Sequence, residues 1–149
     1  MNTSRVLTRD DVIDTWVDVV TRYKLNKDTS VIFSGGAMVL HGLREKTSDV
    51  DLHVSSLDFE TMRKHGTVDI FTTPSHDKWP RITMAPHLEI VMIAPTWPPQ
   101  CVSARHHASK GLYRIPVQTV ASLLDFKLWL NRDKDQEDIR RLKERFYSV

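Results

Sequence analysis

Two carboxylates one residue apart, Asp49 and Asp51, open the segment DVDLHV in a chain of 149 residues. Alternate side chains of a strand share a face, so Asp49, Asp51 and His53 point one way and Val50, Leu52 and Val54 the other. The two acids then sit ~6–7 Å apart on one surface. Like charges held that close repel, and a hard divalent cation removes the conflict. Mg²⁺, or Mn²⁺ in its place, takes oxygen ligands from one or two carboxylates and keeps positions for phosphate and water. Upstream, the apolar run Val31-Ile32-Phe33 ends at Ser34-Gly35-Gly36, and Ala37–His41 reads as a short helix that Gly42 ends. A strand, a small-residue turn and a helix start present backbone N–H groups to an anion, phosphate above all. Ser34 adds a hydroxyl donor. Taken singly, Asp-x-Asp decorates many exposed sheet faces, and Gly-Gly serves many tight turns. In this order they match a nucleoside triphosphate with its metal. Neither G-x-x-x-x-G-K-[ST] nor G-x-G-x-x-G occurs, which excludes P-loop and dinucleotide chemistry of those types.

The segment SGGAMVLHGLREKTSDVDLHV, Ser34–Val54, resembles the signature of the nucleotidyltransferase superfamily, whose fold is that of DNA polymerase β. The variant is similar to small bacterial and phage nucleotidyltransferase-like proteins, including those of abortive-infection (phage-defence) and toxin–antitoxin systems. The resemblance implies that Gly35 and Gly36 hold the triphosphate and that Asp49 and Asp51 bind Mg²⁺. It also places Arg44 and Thr47 in a loop within reach of the phosphates. It calls for a third acid on a neighbouring strand, as metal ligand or general base. Glu89, inside the apolar run LEIVMI, is the favoured position, because an ionised carboxylate in a buried strand is costly unless it is paired or metal-bound. Asp69, in TVDIFTT, is the rival. Glu where the family more often has Asp is a departure that shifts the metal geometry and weakens the case for turnover.

A lysine stands out further along. In TVASLLDFKLWLN, residues Val120, Leu123, Leu124, Phe126, Leu128 and Leu130 spread over one broad helical face, and Lys127 falls near its middle. Ser122 and Asp125 lie on the polar side. Lys127 is read either as a lysine snorkelling from the core rim or as a point charge reaching a phosphate. Proteins of the resembled type carry a basic-Asp-x-x-Asp segment after such a lysine, and here Lys134-Asp135-Gln136-Glu137-Asp138 follows. Asp135 shares the inward face of Ile139 and Leu142, where it can orient Lys127 or a basic loop residue, or serve as a helix-start acid.

These residues need a scaffold. A first helix is expected over Thr8–Tyr23, with Thr8 and Asp11 at capping-box spacing and Val12, Ile13, Trp16, Val17, Val20 and Tyr23 inward. Leu43–Ser48 reads as a polar loop, Asp49–Val54 as a strand, and Ser55–His65 as a helix capped by Ser55 and Asp58. Strands follow near Val68–Thr72 and Leu88–Ile93, with an unassigned piece around Arg81–Met84. The stretch PTWPPQCVSARHHASKG reads as irregular because of its prolines. Helices over Thr119–Asn131 and Lys134–Phe146 close the chain. The expectation is one α+β domain, a small mixed sheet flanked by helices, with the C-terminal helices beginning near residue 119.

Composition excludes other classes. The formal charge of +2 and 27% charged residues fit an ordinary globular domain. No apolar run approaches the ~20 residues a bilayer span needs, and the N-terminal MNTSRVLTRDD lacks a signal-peptide core, so a cytoplasmic location is expected. The single Cys101 allows no intrachain disulfide and no cysteine metal cluster. The histidines show no zinc-binding spacing. Trp79, Trp97, Pro98 and Pro99 read as an apolar rim. Arg105-His106-His107 with Lys110 is a small basic patch able to help hold an acceptor such as tRNA.

The functional expectation is a Mg²⁺-dependent transferase. It moves a nucleoside monophosphate from a nucleoside triphosphate to a protein, an RNA or tRNA, or a small molecule. The rivals are a catalytically weak nucleotide-binding or regulatory protein, such as a toxin–antitoxin partner, and a metal-dependent phosphohydrolase.

Overall fold

In the computed structural model, residues 6–84, 86–93 and 100–147 are described, and the account below concerns these. Strand β1 (Leu7–Thr8) leads into α1 (Arg9–Arg22), then β2 (Val31–Phe33), α2 (Ser34–Leu40), β3 (Lys46–Thr47), β4 (Val50–Val54) and α3 (Ser56–Met62). After a 3-10 turn come β5 (Thr67–Thr72), β6 (Lys78–Met84), β7 (Leu88–Met92), β8 (Cys101–Ala108) and β9 (Gly111–Gln118). Helix α4 (Val120–Leu130), a second 3-10 turn and α5 (Gln136–Tyr147) complete the chain. Seven strands form one mixed sheet in the order β5-β6-β7-β4-β2-β9-β8, while β1 and β3 make a separate two-stranded ladder. The architecture is the expected mixed α+β arrangement.

Register fixes which residues share a face. Ile82, Ile90, Leu52, Ile32 and Val117 align across β6, β7, β4, β2 and β9. All five are buried, as the apolar side of an alternating pattern requires. Helix α1 adds Val12, Ile13, Trp16, Val19 and Val20 to the same core, and its Thr8–Asp11 capping box forms as the sequence predicts. Trp16 resolves its polar edge by donating from Nε1 to the Ser30 carbonyl at 2.8 Å.

Four expectations need correction. The stretch through Cys101 is not irregular throughout: β8 and β9 form a hairpin there, and the prolines at 95, 98 and 99, with Trp97, lie outside the described residues. The piece around Arg81 is the long strand β6, which tolerates Pro80 between the edge strand β5 and β7. Lys46-Thr47 is not free loop but pairs with Leu7-Thr8. The α4 stripe is turned: Ser122, placed on the polar side, joins Leu123, Leu124 and Lys127 inside, and Leu128 is exposed. Among the described residues, no helix is long and apolar enough to cross a membrane.

Candidate active site

Strand β4 places its side chains as alternation demands. Val50, Leu52 and Val54 are buried, and Asp51 and His53 are half-buried on the opposite face. The strand begins at Val50, so Asp49 precedes it rather than opening it. β4 runs parallel to β7, and the register sets Asp51 beside Glu89. Adjacent strands lie about 4.8 Å apart, which puts these carboxylates in contact range. The consequence is electrostatic. Burial raises the Asp51 acid well above the ordinary carboxylate range. The charge of Glu89 and a hydrogen bond to it push further in that direction, and the charge of Asp49 adds to them. Lys127 works against this but does not overcome it.

Asp69 is settled differently. It lies on β5, and its carboxylate takes a two-pronged contact from Arg81, at 3.1 Å from Nε and 2.7 Å from Nη2. That contact holds the exposed acid below its usual range. Glu89, rather than Asp69, is therefore the acid that meets Asp51. The same sheet face carries His53, which stacks on Phe33 at 3.7 Å between ring centroids, and Phe33 in turn meets the edge of Phe126 at 4.9 Å. Burial drives His53 down to about 3, so the ring is neutral near neutral pH. His53 was placed on this face by strand alternation; its aromatic stack is a contact that no sequence signal reveals.

The glycine corner departs from a simple turn. Helix α2 already starts at Ser34, so Gly35 and Gly36 sit in its first turn. Ser34 itself takes φ 55°, in the left-handed region that disfavours a side chain. Its N–H donates to Gln118 Oε1 at 3.0 Å, and Gln118 Nε2 donates to Ser122 Oγ at 3.0 Å, which ties the corner to β9 and α4. Both glycines answer packing needs. A Cβ on Gly35 would meet Thr47 Oγ1 at 2.5 Å, and one on Gly36 would meet Ile32 at 3.0 Å. The same Cβ position lies 3.5 Å from Arg44 Nη1, so Arg44 and Thr47 do converge on the corner. Thr47 is buried, with its hydroxyl 3.4 Å from the Asp49 carbonyl.

Strain at an observed backbone outlier is a pointer to function. Ser34→Gly is expected to leave the melting temperature unchanged or slightly raised, since relief of about 1 kcal/mol is offset by unfolded-chain entropy. If the hydroxyl binds phosphate, nucleotide transfer falls about tenfold, the value of one hydrogen bond. Thermal melts and a transfer assay on one preparation check both halves.

Lys127 lies inside the molecule with its amine committed. Nζ stands 3.2 Å from Asp135 Oδ1 and 3.3 Å from Asp138 Oδ2. Asp138 also meets Arg44 Nη1 at 3.6 Å, and Asp135 accepts from Arg132 Nε at 2.7 Å. Burial works against the Asp135 charge, but hydrogen bonds from Arg132 and Lys127 bring that acid to about 2. Lys127 is thus neither a snorkelling rim residue nor an unpaired charge. It is the centre of a buried network joining α4, α5 and the Arg44 loop. Asp138, the second acid of the basic-Asp-x-x-Asp segment, is as much a member as Asp135.

Shallow clefts of about 430 and 310 Å³ open beside Gly42, Leu43 and Arg141. Arg44 and Lys46 line the first, and neither cleft is lined by Asp49, Asp51 or Glu89. Among the described residues, no three His, Cys, Asp or Glu side chains stand as a ready-made metal set. Two of the expected carboxylates meet directly, and Asp49 acts on Asp51 through space. Searches among protein families, curated proteins and solved structures find no match to this chain.

Proposed function

We propose that this chain is a nucleotidyltransferase with a polymerase-β-like fold, acting on cytoplasmic nucleoside triphosphates. The observation that carries the reading is the Asp51–Glu89 pair. Two carboxyl groups pressed together on adjacent strands, with Asp49 nearby, favour a shared proton or a shared cation. Their oxygen chemistry suits Mg²⁺ or Mn²⁺, and Asp49, Asp51 and Glu89 are the residues to hold it. When bound, the metal supplies charge neutralisation at the phosphates and activation of the attacking oxygen.

The chain's own groups do the rest. Ser34, Gly35 and Gly36 form the corner that receives phosphate, with Thr47 and Arg44 beside it. Lys127 contributes positive potential felt at Asp51, while Asp135 and Asp138 hold its amine. One carboxylate of the cluster takes the acceptor's proton, which its raised affinity for protons favours. The acceptor oxygen bonds to the α-phosphorus as the bond to the leaving pyrophosphate breaks. Rate enhancement then rests on positioning and electrostatics. Acceptors within this reading are a protein, an RNA or tRNA, or a small molecule.

A second reading is favoured by a specific observation. The Lys127 amine is engaged by two aspartates instead of facing a phosphate, and the third acid is Glu rather than Asp. Both features suit a nucleotide-binding regulator of low turnover, such as a toxin–antitoxin partner. Incubation with each α-labelled nucleoside triphosphate and Mg²⁺, beside an Asp49→Asn/Asp51→Asn variant, decides. Label transferred by the wild type and not by the variant supports the transferase. Binding without transfer supports the regulator, and release of inorganic phosphate alone supports a hydrolase.

A further inference from the structure

The hairpin absent from the sequence reading carries an unbalanced charge on the carboxylate face of the sheet. No acidic residue lies between Glu89 and Asp125, whereas Arg105, Lys110 and Arg114 all do. The register sets Arg105 on β8 directly opposite Arg114 on β9. Like charges facing one another across an antiparallel pair destabilise it. Arg105 has no hydrogen bond or ion pair among the described residues, and Arg114 makes one long contact, Nη1 to the Ser103 carbonyl at 3.4 Å. Both side chains are exposed, as is Lys110 at the turn. On the core face of the hairpin, burial and then the charges of Arg9 and His41 hold the half-buried His106 below its ordinary range. From α1, Asp14 accepts from the Ser109 hydroxyl at 3.4 Å, and Asp10 contacts Arg9 at 3.6 Å.

Register also says which way the pair points. Val102 and Val117 align with Ile32 on the core face. Arg105 and Arg114 belong to the alternate set, as do Phe33 and Asp51. The arginine pair and the carboxylates therefore occupy one face of one sheet, on either side of β2 and about 13 Å apart along the strand direction, since Arg114 lies four residues before Gln118, the position level with Phe33 and Asp51.

We propose that the Arg105–Arg114 pair, with Lys110, binds the phosphodiester backbone of a single-stranded nucleic acid, which the face then leads toward Asp51 and Glu89. A cation pair that costs folding energy and is not neutralised among the described residues is stabilised by a polyanion, whose phosphates displace counterions. The nucleic acid's role as acceptor rests on the transferase reading, but its binding does not and is measured without nucleotide or metal.

The probe is fluorescein-labelled oligouridylate, followed by anisotropy at several salt concentrations. Wild type binds, with affinity falling as salt rises. Arg105→Gln/Arg114→Gln lowers affinity about tenfold and flattens the log–log salt slope by about 1.4, the value for two phosphate contacts on a single strand. Arg105→Lys/Arg114→Lys retains the salt dependence. Because the like-charge conflict is gone, the Gln variant melts no lower than wild type, so lost binding is not lost folding. Wild-type binding that the Gln variant keeps, absence of wild-type binding at low salt, or equal capture of polyglutamate overturns the assignment. Asp49→Asn/Asp51→Asn must still bind the oligonucleotide. Label transfer that ignores the arginines removes the acceptor role alone, while the binding stands or falls by the anisotropy. Arginine-dependent binding with no transfer sinks the transferase reading alone.

Discussion

Asp51→Asn is expected to lower nucleotide transfer by about a hundred- to a thousandfold, and at the same time to raise the melting temperature of the metal-free protein. Loss of activity alone would fit many residues; gain of stability with it fits few. The physical basis is that Asp51 is half-buried against Glu89, with Asp49 near, so its charge is opposed in the folded state. Its acid is raised on folding, and stability from such a group is full below the ordinary carboxylate range and lost as pH rises through the raised value. The metal-free wild type is therefore penalised near neutral pH, and a neutral amide removes the penalty. Each kcal/mol recovered appears as about 2–4 °C. If Mg²⁺ binds there as proposed, it supplies the same neutralisation, and it should then raise the wild-type melting temperature and leave the variant unmoved. Removal of one charged or polar group aimed at the reacting centre typically costs 10²–10³ in rate, about the scale expected for transfer. His53 gives the opposite pH signature. Its value falls to about 3 on folding, so stability is full above about 6.5 and is lost as pH falls from there toward 3. Melts of Asp51→Asn across that range isolate the histidine. A variant that melts lower than wild type without metal would overturn the account of the carboxylate cluster.

Lys127→Met is expected to be the most destabilising single change at the site, by about 3–5 kcal/mol. The side chains of Lys127, Asp135 and Asp138 are 6%, 1% and 10% exposed, so removal of the cation strands two buried acids. For a chain of this size, that loss corresponds to a melting temperature lower by about 6–20 °C. Lys127→Met/Asp135→Leu should regain part of it, since a buried ion pair exchanged for apolar groups is often neutral. Chemical denaturation of the two variants measures the difference. A lysine engaged only with phosphate would behave otherwise, with transfer lost and stability kept.

The parts of this arrangement that were legible in sequence share one property: their signal is local. The Thr8–Asp11 box, the alternation through Asp51 and the acid interrupting Leu88–Met92 each declare themselves within a few residues. The choice of Glu89 over Asp69 rested on the apolar run around it, and the parallel β4–β7 register supplies the reason that choice sits beside Asp51. The β8–β9 hairpin was not legible. β8 is an edge strand with most residues exposed, so it shows no apolar alternation, and Pro116 within β9 reads as a breaker. β2 meets β9 at a single register pair, so a proline beside it forfeits little of the ladder. The fate of Lys127 was half legible. Helical spacing turned Asp135 inward, but the meeting of α5 with the Arg44 loop, through Asp138, depends on contacts far apart in sequence.

The place of β2 in the sheet has a kinetic consequence. Its neighbours are β4 and β9, so one flank is closed by residues near 52 and the other by residues near 117. A chain emerging from the ribosome can pair β4 to β7 long before β9 exists, and distant pairings form slowly because loop closure precedes the contacts that reward it. The repelling acids are thus brought together early, in a half-built sheet that still lacks Gln118, Lys127 and the arginine hairpin. Pulse-labelled hydrogen exchange during refolding should show β4 and β7 amides protected before those of β9. Divalent ions should accelerate the first phase and leave the second unchanged.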